Sequence, residues 1–165
     1  MNGVIIKYNQ NNINTDLIIP ARYLNKSDPE HLAKHCLEDL DPDFHKKKKS
    51  IKANILVAGS NFGSGSSREQ APLSLKTAGI KCIIAPSFAR IFFRNSINIG
   101  LSIIEFEDIA EFSTGDDIEI KLEEGIIKNH STGKKFKIRR IPSFLTEIIS
   151  AGGLVNFARK KILEN

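Results

Sequence analysis

Residues 54–79 of the chain read NILVAGSNFGSGSSREQAPLSLKTAG. The apolar run at residues 54–58 predicts a strand covered on both faces, as in a parallel sheet. The glycines and serines of residues 59–67 predict a loop, and a helix follows that ends at Gly79. This succession of strand, loop and helix favours an α/β fold.

The same unit follows at once along the chain. Residues 81–85 predict a second strand, Ser87 is the candidate N-cap of a helix that runs to about residue 99, and residues 101–106 predict a third strand after Gly100. Strands that alternate with helices pair in parallel through right-handed crossovers. We therefore expect a parallel sheet in this part of the chain.

The flanking segments extend that sheet. From Asp116 onward, apolar residues alternate with charged ones and glycine-containing turns separate the runs, which predicts antiparallel ribbons. Elsewhere we expect a strand at residues 4–8, an apolar segment at 17–19, a helix from Ser27 to near 41–42, and a last helix at 142–151 before a basic tail. Residues 1–165 are thus expected to form one domain with a mixed parallel and antiparallel sheet.

The composition restricts the class of protein. No apolar run approaches the roughly 18 residues that span a bilayer, and no signal segment begins the chain, so we expect a cytoplasmic protein that does not enter a membrane. The two cysteines, Cys36 and Cys82, lack the spacing of a metal motif, which predicts that this chain itself holds no metal or cofactor.

Three charged or polar patterns have both functional and structural interpretations. The lysine tract at residues 46–49 is expected in a solvated loop, because a nucleic-acid surface would also need interleaved aromatic residues. His31 and His35 are spaced as metal ligands on a helix, but no third ligand accompanies them, which favours a solvated helix face. Arg90 and Arg94 share a predicted helix face, where they could contact a partner, brace the neighbouring loop or pair with surface acids.

The glycine-serine loop, residues 59–68, carries the strongest functional signal. Gly63 and Gly65, on either side of Ser64, let backbone amides approach a ligand, and the start of the following helix favours an anion. We expect a carboxylate or a phosphate to bind there. The loop lacks the Gly-Lys-Ser/Thr of a P-loop, the third glycine of a dinucleotide turn and the Gly-x-Ser-x-Gly of a hydrolase elbow.

Three polar side chains follow at the predicted helix start. Ser66, Ser67 and Arg68 can converge on one small acid, with the arginine gripping a carboxylate through two parallel hydrogen bonds. A capped helix with a surface arginine explains the same residues equally well. Local chemistry leaves both interpretations open.

Three segments together resemble the signatures of a known family. They are NTDLIIP at residues 14–20, NFGSGSSREQA at 61–71 and SFARIFFRN at 87–95. In this order, and over nearly the whole chain, they are similar to the isopropylmalate dehydratase small subunits, and the second segment is specific to the aconitase superfamily.

The resemblance implies a swivelling, three-layer β/β/α domain. Such a domain closes over a 4Fe-4S cluster held by three cysteines of a separate large subunit, in a heterodimer or heterotetramer. The implied activity is that of a hydro-lyase, present only with the large subunit, which interconverts 2-isopropylmalate and 3-isopropylmalate in leucine biosynthesis by dehydration and rehydration. The substrate class is a small hydroxy di- or tricarboxylic acid.

The resemblance also implies residue roles. Ser66 matches the serine whose alkoxide removes the substrate's α-proton, and Ser67 and Arg68 match residues that hold a substrate carboxylate. Asp16 matches an aspartate of the active-site pairings. A serine alkoxide needs stabilisation by nearby amides, a helix end and Arg68 in a closed site with little water, which explains why the separate subunits would be inactive.

Substrate identity depends on the segment after the first signature. In the family this segment contacts the group that distinguishes substrates, and here it contains Tyr23, Leu24 and Asn25. Tyr23 and Leu24 suit a branched alkyl group, whereas Arg22 and Lys26 would suit a third carboxylate. Many relatives have Cys at the Ser64 position and His at the Gln70 position, so homocitrate and dimethylmalate stay open beside isopropylmalate, which we favour.

Two functions of other classes remain. A non-catalytic module could bind a small acid with the same loop and would need no iron-sulfur partner. A nucleic-acid-binding protein would use the lysine tract and would bind DNA or RNA with a steep dependence on salt. A neighbouring gene for a protein with the three cluster cysteines would argue against the acid-binding module. A binding assay at two salt concentrations would test the nucleic-acid-binding protein.

Overall fold

The structure, a computed structural model, describes residues 1–163. Its strands are β1 (Asn2–Tyr8), β2 (Ala53–Ala58), β3 (Cys82–Ala85), β4 (Ser102–Glu105), β5 (Asp117–Lys121), β6 (Ile126–Asn129) and β7 (Lys135–Lys137). Its α-helices are α1 (Thr15–Ile18), α2 (Pro29–Lys34), α3 (Phe44–Ile51), α4 (Gln70–Thr77), α5 (Arg90–Asn98), α6 (Ser143–Ser150) and α7 (Leu154–Leu163). Short 3₁₀ helices lie at Ala21–Tyr23 and Ile109–Glu111.

The seven strands within residues 1–163 belong to one sheet in the order β4-β3-β2-β1-β5-β6-β7. Strands β1 to β4 pair in parallel, and β5, β6 and β7 continue from β1 in antiparallel pairs. The parallel half comes from the alternation of strands and helices, and the antiparallel half from the period-two segments. The predicted mixed α/β sheet is confirmed.

The sheet separates two apolar cores. Alternate side chains of a strand point to opposite faces, so Leu56 of β2 packs with the helices while Ile55 packs on the other side with Ile118 and Ile127 of the antiparallel ribbon. The ribbon therefore curls over the face of the parallel strands that the helices do not cover. Helices, parallel strands and ribbon form the three layers of the expected β/β/α architecture.

The predicted helix at residues 27–42 is wrong in its second half. Asp28 caps α2 as the sequence suggests, with its Oδ2 accepting from the His31 N–H at 3.0 Å, but α2 ends at Lys34. Leu37 then adopts a positive φ of 59° and donates its N–H to the Ile18 carbonyl at 2.8 Å. The apolar residues of this segment are buried by turns and not by a continued helix.

The lysine tract lies in helix α3, and the prediction of a loop is wrong. Phe44, which is 1% exposed, anchors the first turn in the core. Asp41 accepts hydrogen bonds from the Asp43 N–H at 3.1 Å and from Lys47 Nζ at 2.8 Å. Lysine has a high helix propensity, so these two anchors suffice to order the segment.

Two helix starts differ from prediction. Helix α5 begins after Ala89 without a side-chain cap, and Ser87 Oγ instead accepts the N–H of Asn61 at 2.9 Å. Helix α4 begins at Gln70, so Ser66, Ser67 and Arg68 lie in the loop before the helix and not at its first turn. Ser66 and Ser67 therefore belong to the glycine-serine loop, and Ser87 binds it.

Candidate active site

The three segments at residues 14–20, 61–71 and 87–95, here called the three motifs, meet at one edge of the sheet. The connections that follow β1, β2 and β3 all leave the carboxyl ends of parallel strands, which lie side by side in the sheet. Ligands of open α/β sheets bind outside these carboxyl ends. The topology thus explains why motifs far apart in sequence form one site.

Main-chain hydrogen bonds hold the glycine-serine loop on its β1 side. The Gly63 N–H donates to the Ile13 carbonyl, and the Thr15 N–H donates to the Ser64 carbonyl, both at 2.8 Å. These bonds form a short parallel bridge between Asn14 and Ser64. The loop is therefore fixed to the start of α1, where the first motif lies.

A second bridge holds the loop on its β3 side. The Phe62 N–H donates to the Ser87 carbonyl at 3.1 Å, and the Ala89 N–H donates to the Phe62 carbonyl at 2.9 Å. Phe62 is fully buried and its ring packs edge-on against Phe92 of α5. The second and third motifs are thus joined by main chain and by apolar packing.

Gly63 is required by both its conformation and its surroundings. Its φ is +77°, which strains any residue with a Cβ, and a Cβ built there would lie 2.1 Å from Phe92 Cγ. The close approach of the loop to α5 therefore depends on this glycine.

Arg68 is held by the first motif. Its Nη1 donates to Asp16 Oδ1 at 2.7 Å and to the Ile19 carbonyl at 3.4 Å. The Arg68 side chain is 16% exposed, whereas that of Asp16 is 56% exposed. Among residues 1–163 no hydrogen bond is made by Nε or Nη2 of this arginine, so that edge of the guanidinium can bind a carboxylate with two parallel hydrogen bonds.

A cavity of about 170 Å³ lies between the three motifs. Its walls include Thr15 and Arg68, the loop residues Gly65 and Ser66, and Asn95 of α5. Ser66 is exposed, as is Ser67, which does not line this cavity. The predicted base and the predicted carboxylate clamp therefore border one space.

The segment after α1 is fixed by side chains. The Tyr23 hydroxyl donates to Glu38 Oε1 at 2.7 Å, and its ring stacks on the ring of His35 with centroids 3.6 Å apart. Arg22 forms two parallel bonds to Asp39, at 2.8 and 2.5 Å. Leu24 packs against the core, so of Tyr23, Leu24 and Asn25 only Asn25 is exposed.

The interpretation of His31 and His35 as a solvated face is wrong. Both are half-buried, and their rings contact Tyr23 and each other. The hydrogen bond from His35, followed by that from Tyr23, lowers the pKa of Glu38. The two histidines support residues 21–26, here called the Tyr23 segment.

No metal centre is formed within residues 1–163, where groups of three or more His, Cys, Asp or Glu side chains in metal-binding proximity are absent. Cys36 and Cys82 are fully buried, and burial raises the pKa of each thiol to about 12. Thiols held in the protonated form are poor ligands for iron or zinc. These cysteines are therefore unsuited to hold a cluster.

The structure adds residues to the candidate site beyond the predicted base and clamp. Thr15 lines the cavity from α1, and Arg90 and Asn95 line it from α5. Arg90 and Arg94 are exposed, and neither forms an ion pair with a residue among 1–163. Helical spacing placed the two arginines on one face, but only the folded chain places Arg90 beside Ser66.

A larger cavity, of about 750 Å³, lies elsewhere. It is lined by Lys81 and Ser102, at the amino ends of β3 and β4, and by Ile149 of α6. This edge of the sheet is opposite to the three motifs. Size alone would therefore point to the other end of the domain, and the smaller cavity is the candidate site because Ser66 and Arg68 line it.

None of the helices within residues 1–163 is both long and apolar enough to cross a bilayer.

Comparisons with known proteins show the family of the chain. The Aconitase C-terminal domain family matches residues 1–109. The chain is 58% identical to the 3-isopropylmalate dehydratase small subunit of Nautilia profundicola over 154 residues, which are 93% of this chain and 92% of that protein. It is 53% identical to the protein of that name from Caldanaerobacter subterraneus subsp. tengcongensis, over 98% of this chain and 99% of the relative.

A solved structure gives the same answer for the fold. The crystal structure of 3-isopropylmalate dehydratase from Methanocaldococcus jannaschii superposes with a TM-score of 0.89 and 44% sequence identity, over 98% of this chain and 95% of that one. The matched domain, residues 1–109, includes the residues that line the smaller cavity. This chain belongs to the 3-isopropylmalate dehydratase small-subunit family.

Proposed function

We propose that this chain is the catalytic small subunit of a 3-isopropylmalate dehydratase. In this role it supplies the base and the carboxylate clamp of a hydro-lyase that interconverts 2-isopropylmalate and 3-isopropylmalate in leucine biosynthesis. The observation that carries the proposal is the meeting of Ser66 and Arg68 on one cavity at the carboxyl edge of the sheet. The names of the similar proteins support it.

The reaction needs a base beside a bound carboxylate. Dehydration removes a proton from the carbon next to a carboxylate and the hydroxyl from the neighbouring carbon, which leaves a carbon-carbon double bond and water. Ser66 Oγ, as the alkoxide, accepts the proton and returns it when water adds in the opposite sense. Its exposure and its lack of a hydrogen bond to any residue among 1–163 leave it available for this task.

Arg68 supplies the clamp. With Nη1 held by Asp16, the guanidinium presents its Nε and Nη2 edge to the substrate carboxylate, and Ser67 adds a hydroxyl donor. Asp16 in this scheme orients the arginine. A fixed arginine loses little conformational entropy when it binds, so the substrate is positioned for proton removal.

The remaining half of the site belongs to a partner. We infer a large subunit in a heterodimer or heterotetramer, since the similar proteins are named small subunits. A 4Fe-4S cluster held by cysteines of that subunit would supply a Lewis acid for the leaving hydroxyl. We further propose that residues 1–165 form a single swivel domain in the cytoplasm, where the free thiols of Cys36 and Cys82 would stay reduced.

The Tyr23 segment favours isopropylmalate over homocitrate. A third carboxylate would need a free cation, but the guanidinium of Arg22 already binds Asp39 through both Nη atoms. Tyr23 and Leu24 leave apolar surface, which suits a branched alkyl group. Lys26 is the cation of this segment through which a tricarboxylic acid could still be accepted.

The test is anaerobic turnover by the chain with its iron-sulfur large subunit. We expect isopropylmalate to be isomerised by the mixture and by neither subunit alone. Homocitrate or dimethylmalate turnover in its place would assign a homoaconitase or a dimethylmalate dehydratase. If the cluster is verified intact and none of the three acids reacts, while the chain alone binds one of them, the protein is a non-catalytic acid-binding module.

A further inference from the structure

The hydroxyl of Thr15 has no hydrogen-bond partner among residues 1–163, although the residue is only 1% exposed. The backbone groups of Thr15 are both used, because its N–H donates to Ser64 and its carbonyl accepts from Ile19. A buried hydroxyl without a partner lowers the stability of the fold. Such a group is therefore expected to have a partner in the working enzyme.

Local structure explains why no partner comes from the helix. Buried Ser74 and Ser96 each donate to a carbonyl of the preceding turn of their own helix, at 2.8 Å. Thr15 is the first residue of α1, so no helical turn precedes it. Its hydroxyl can be satisfied only by a group on the side that it faces.

Thr15 faces the glycine-serine loop. Thr15 lines the same cavity as Ser66 and Arg68, and a Cβ built on Gly65 would lie 3.3 Å from Thr15 Oγ1. The neighbouring residue, Asp16, binds Nη1 of Arg68. The threonine hydroxyl and the guanidinium are thus presented from one short helix to one space.

Two other buried polar side-chain atoms in residues 1–163 have no hydrogen-bond partner. Ser102 Oγ lies beside the larger cavity at the amino ends of the strands, away from the three motifs. His31 Nε2 lies in the aromatic cluster with Tyr23. Of these three atoms, Thr15 Oγ1 is the one whose residue lines the same cavity as Ser66 and Arg68.

We propose that Thr15 is a further substrate-binding residue, whose hydroxyl donates a hydrogen bond to an oxygen of the carboxylate that Arg68 grips. The inference rests on the proposed function and extends it. A carboxylate has about four acceptor sites, so it can bind the two arginine donors and still accept from a hydroxyl on another wall of the cavity. Binding would satisfy a group that the fold alone leaves unpaired.

The test compares Thr15→Val and Thr15→Ser in complex with the large subunit. Valine keeps the shape of threonine and removes the hydroxyl, whereas serine keeps the hydroxyl. We expect T15V to raise KM for isopropylmalate about 10- to 100-fold, with kcat changed far less, and T15S to stay within about threefold of the wild type. Thermal unfolding of the isolated T15V subunit should occur at the same or a higher temperature, since the variant loses a polar group that had no partner.

Ser74→Ala provides the matched control. Ser74 is as buried as Thr15, but its hydroxyl has a partner and lies outside the cavity. S74A should therefore lower the unfolding temperature and leave KM unchanged, which is the opposite of the T15V pattern. A purely structural role for Thr15 would make T15V behave like S74A.

Three results would overturn the assignment: wild-type KM in T15V, a T15S variant as impaired as T15V, or a lower kcat in T15V with unchanged KM. The last would place the hydroxyl at the Ser66 base and not at the carboxylate. These failures require an active wild-type mixture, so they are distinct from failure of the proposed function. If the wild-type mixture converts none of the three acids, the proposed function fails and this inference fails with it.

Discussion

The glycine-serine loop and the Tyr23 segment are held in opposite ways. The loop at residues 59–68 is fixed by main-chain bonds to both of its neighbours, and its serine hydroxyls at 66 and 67 remain exposed. The segment at residues 21–26 is fixed by side chains, with Tyr23 bound to Glu38 and stacked on His35, and Arg22 bound to Asp39.

The difference separates two kinds of role. A loop that is held by its main chain can position side chains without using them as hydrogen-bond partners. A base and a carboxylate clamp need such side chains, because they must bind the substrate. A segment whose side chains bind each other can form a wall of the substrate site, but it offers few free groups for hydrogen bonds to the substrate. We therefore expect catalysis to depend on side chains in the loop and on the backbone that holds it, and specificity to depend on the surface of the Tyr23 segment.

Ser66→Ala should give the largest effect. If Ser66 is the base, its removal should lower kcat about a thousandfold, within the range of general-base catalysis, because no other group takes the proton. Folding and assembly should be unchanged, since the hydroxyl is exposed and unbonded to residues 1–163. Steady-state kinetics and the elution volume of the complex measure the two effects.

Ser60→Ala is the control in the same loop. Ser60 contributes main-chain bonds, through its N–H and its carbonyl, and these survive the substitution. S60A should keep wild-type kcat. Wild-type turnover in S66A would show that Ser66 is not the base. It would also contradict the expectation that catalysis depends on the free side chains of the loop.

Gly63→Ala tests the backbone half of the comparison. The added Cβ would meet Phe92 and would also hold a positive φ, so we expect a loss of about 2–4 kcal/mol in unfolding free energy. Gly115→Ala is the matched variant, because Gly115 has a φ of +96° with no atom within 4 Å of the added Cβ. Its cost should be about 1–2 kcal/mol, from the backbone strain alone. Equal losses in denaturant unfolding would show that the loop does not depend on its approach to α5.

Arg68→Lys tests the clamp. Lysine keeps the charge but loses the planar fork, so KM for the carboxylate substrate should rise about tenfold or more while the subunit stays folded. Arg159→Lys in α7, an exposed position far along the chain, should leave KM unchanged. An unaltered KM in R68K would mean that the carboxylate is held elsewhere, and the position of Asp16 against Nη1 would then be purely structural.

The sheet could be predicted because its signals are local and repeated. The apolar run at β2 and the period-two alternation of β5 each follow from which faces of a strand are buried. The end of α2 could not, because it depends on the hydrogen bond of Leu37 to Ile18, a contact between segments that no periodicity encodes. The helix at the lysine tract was missed for the same reason, since Asp41 and Phe44 anchor it from outside the tract.

The site was predicted as far as its residue types allowed. Glycines beside Ser66 and Arg68 indicate an anion site from chemistry, and the resemblance supplied their roles. The role proposed for Thr15 rests on a hydroxyl that has no partner among residues 1–163, and this is visible only in the folded chain. The hydrogen bond from Tyr23 to Glu38 is likewise visible only there. The Tyr23 segment, which depends on side-chain contacts, was therefore harder to predict than the glycine-serine loop.

The smallest effect concerns pH and separates the two regions directly. Hydrogen bonds from His35 and then Tyr23 lower the pKa of Glu38 below its ordinary value of 4.5. A carboxyl with a depressed pKa in the folded state contributes stability that is present above about pH 4.5 and lost as the pH falls through the lower, folded value. The Tyr23 segment should therefore loosen in acid before the glycine-serine loop does.

NMR of the isolated subunit can follow both regions in one titration. Ring resonances of Tyr23 should shift as the pH is lowered below about 4.5, while the amides of Gly63 and Gly65, which lie in the loop held by backbone bonds, should not move with them. Glu38→Gln should abolish the Tyr23 transition, because the amide does not titrate in this range. If the glycine amides shift together with Tyr23, or if the transition persists in E38Q, the two regions are not independent and the Tyr23 segment is held by something other than the Glu38 carboxylate.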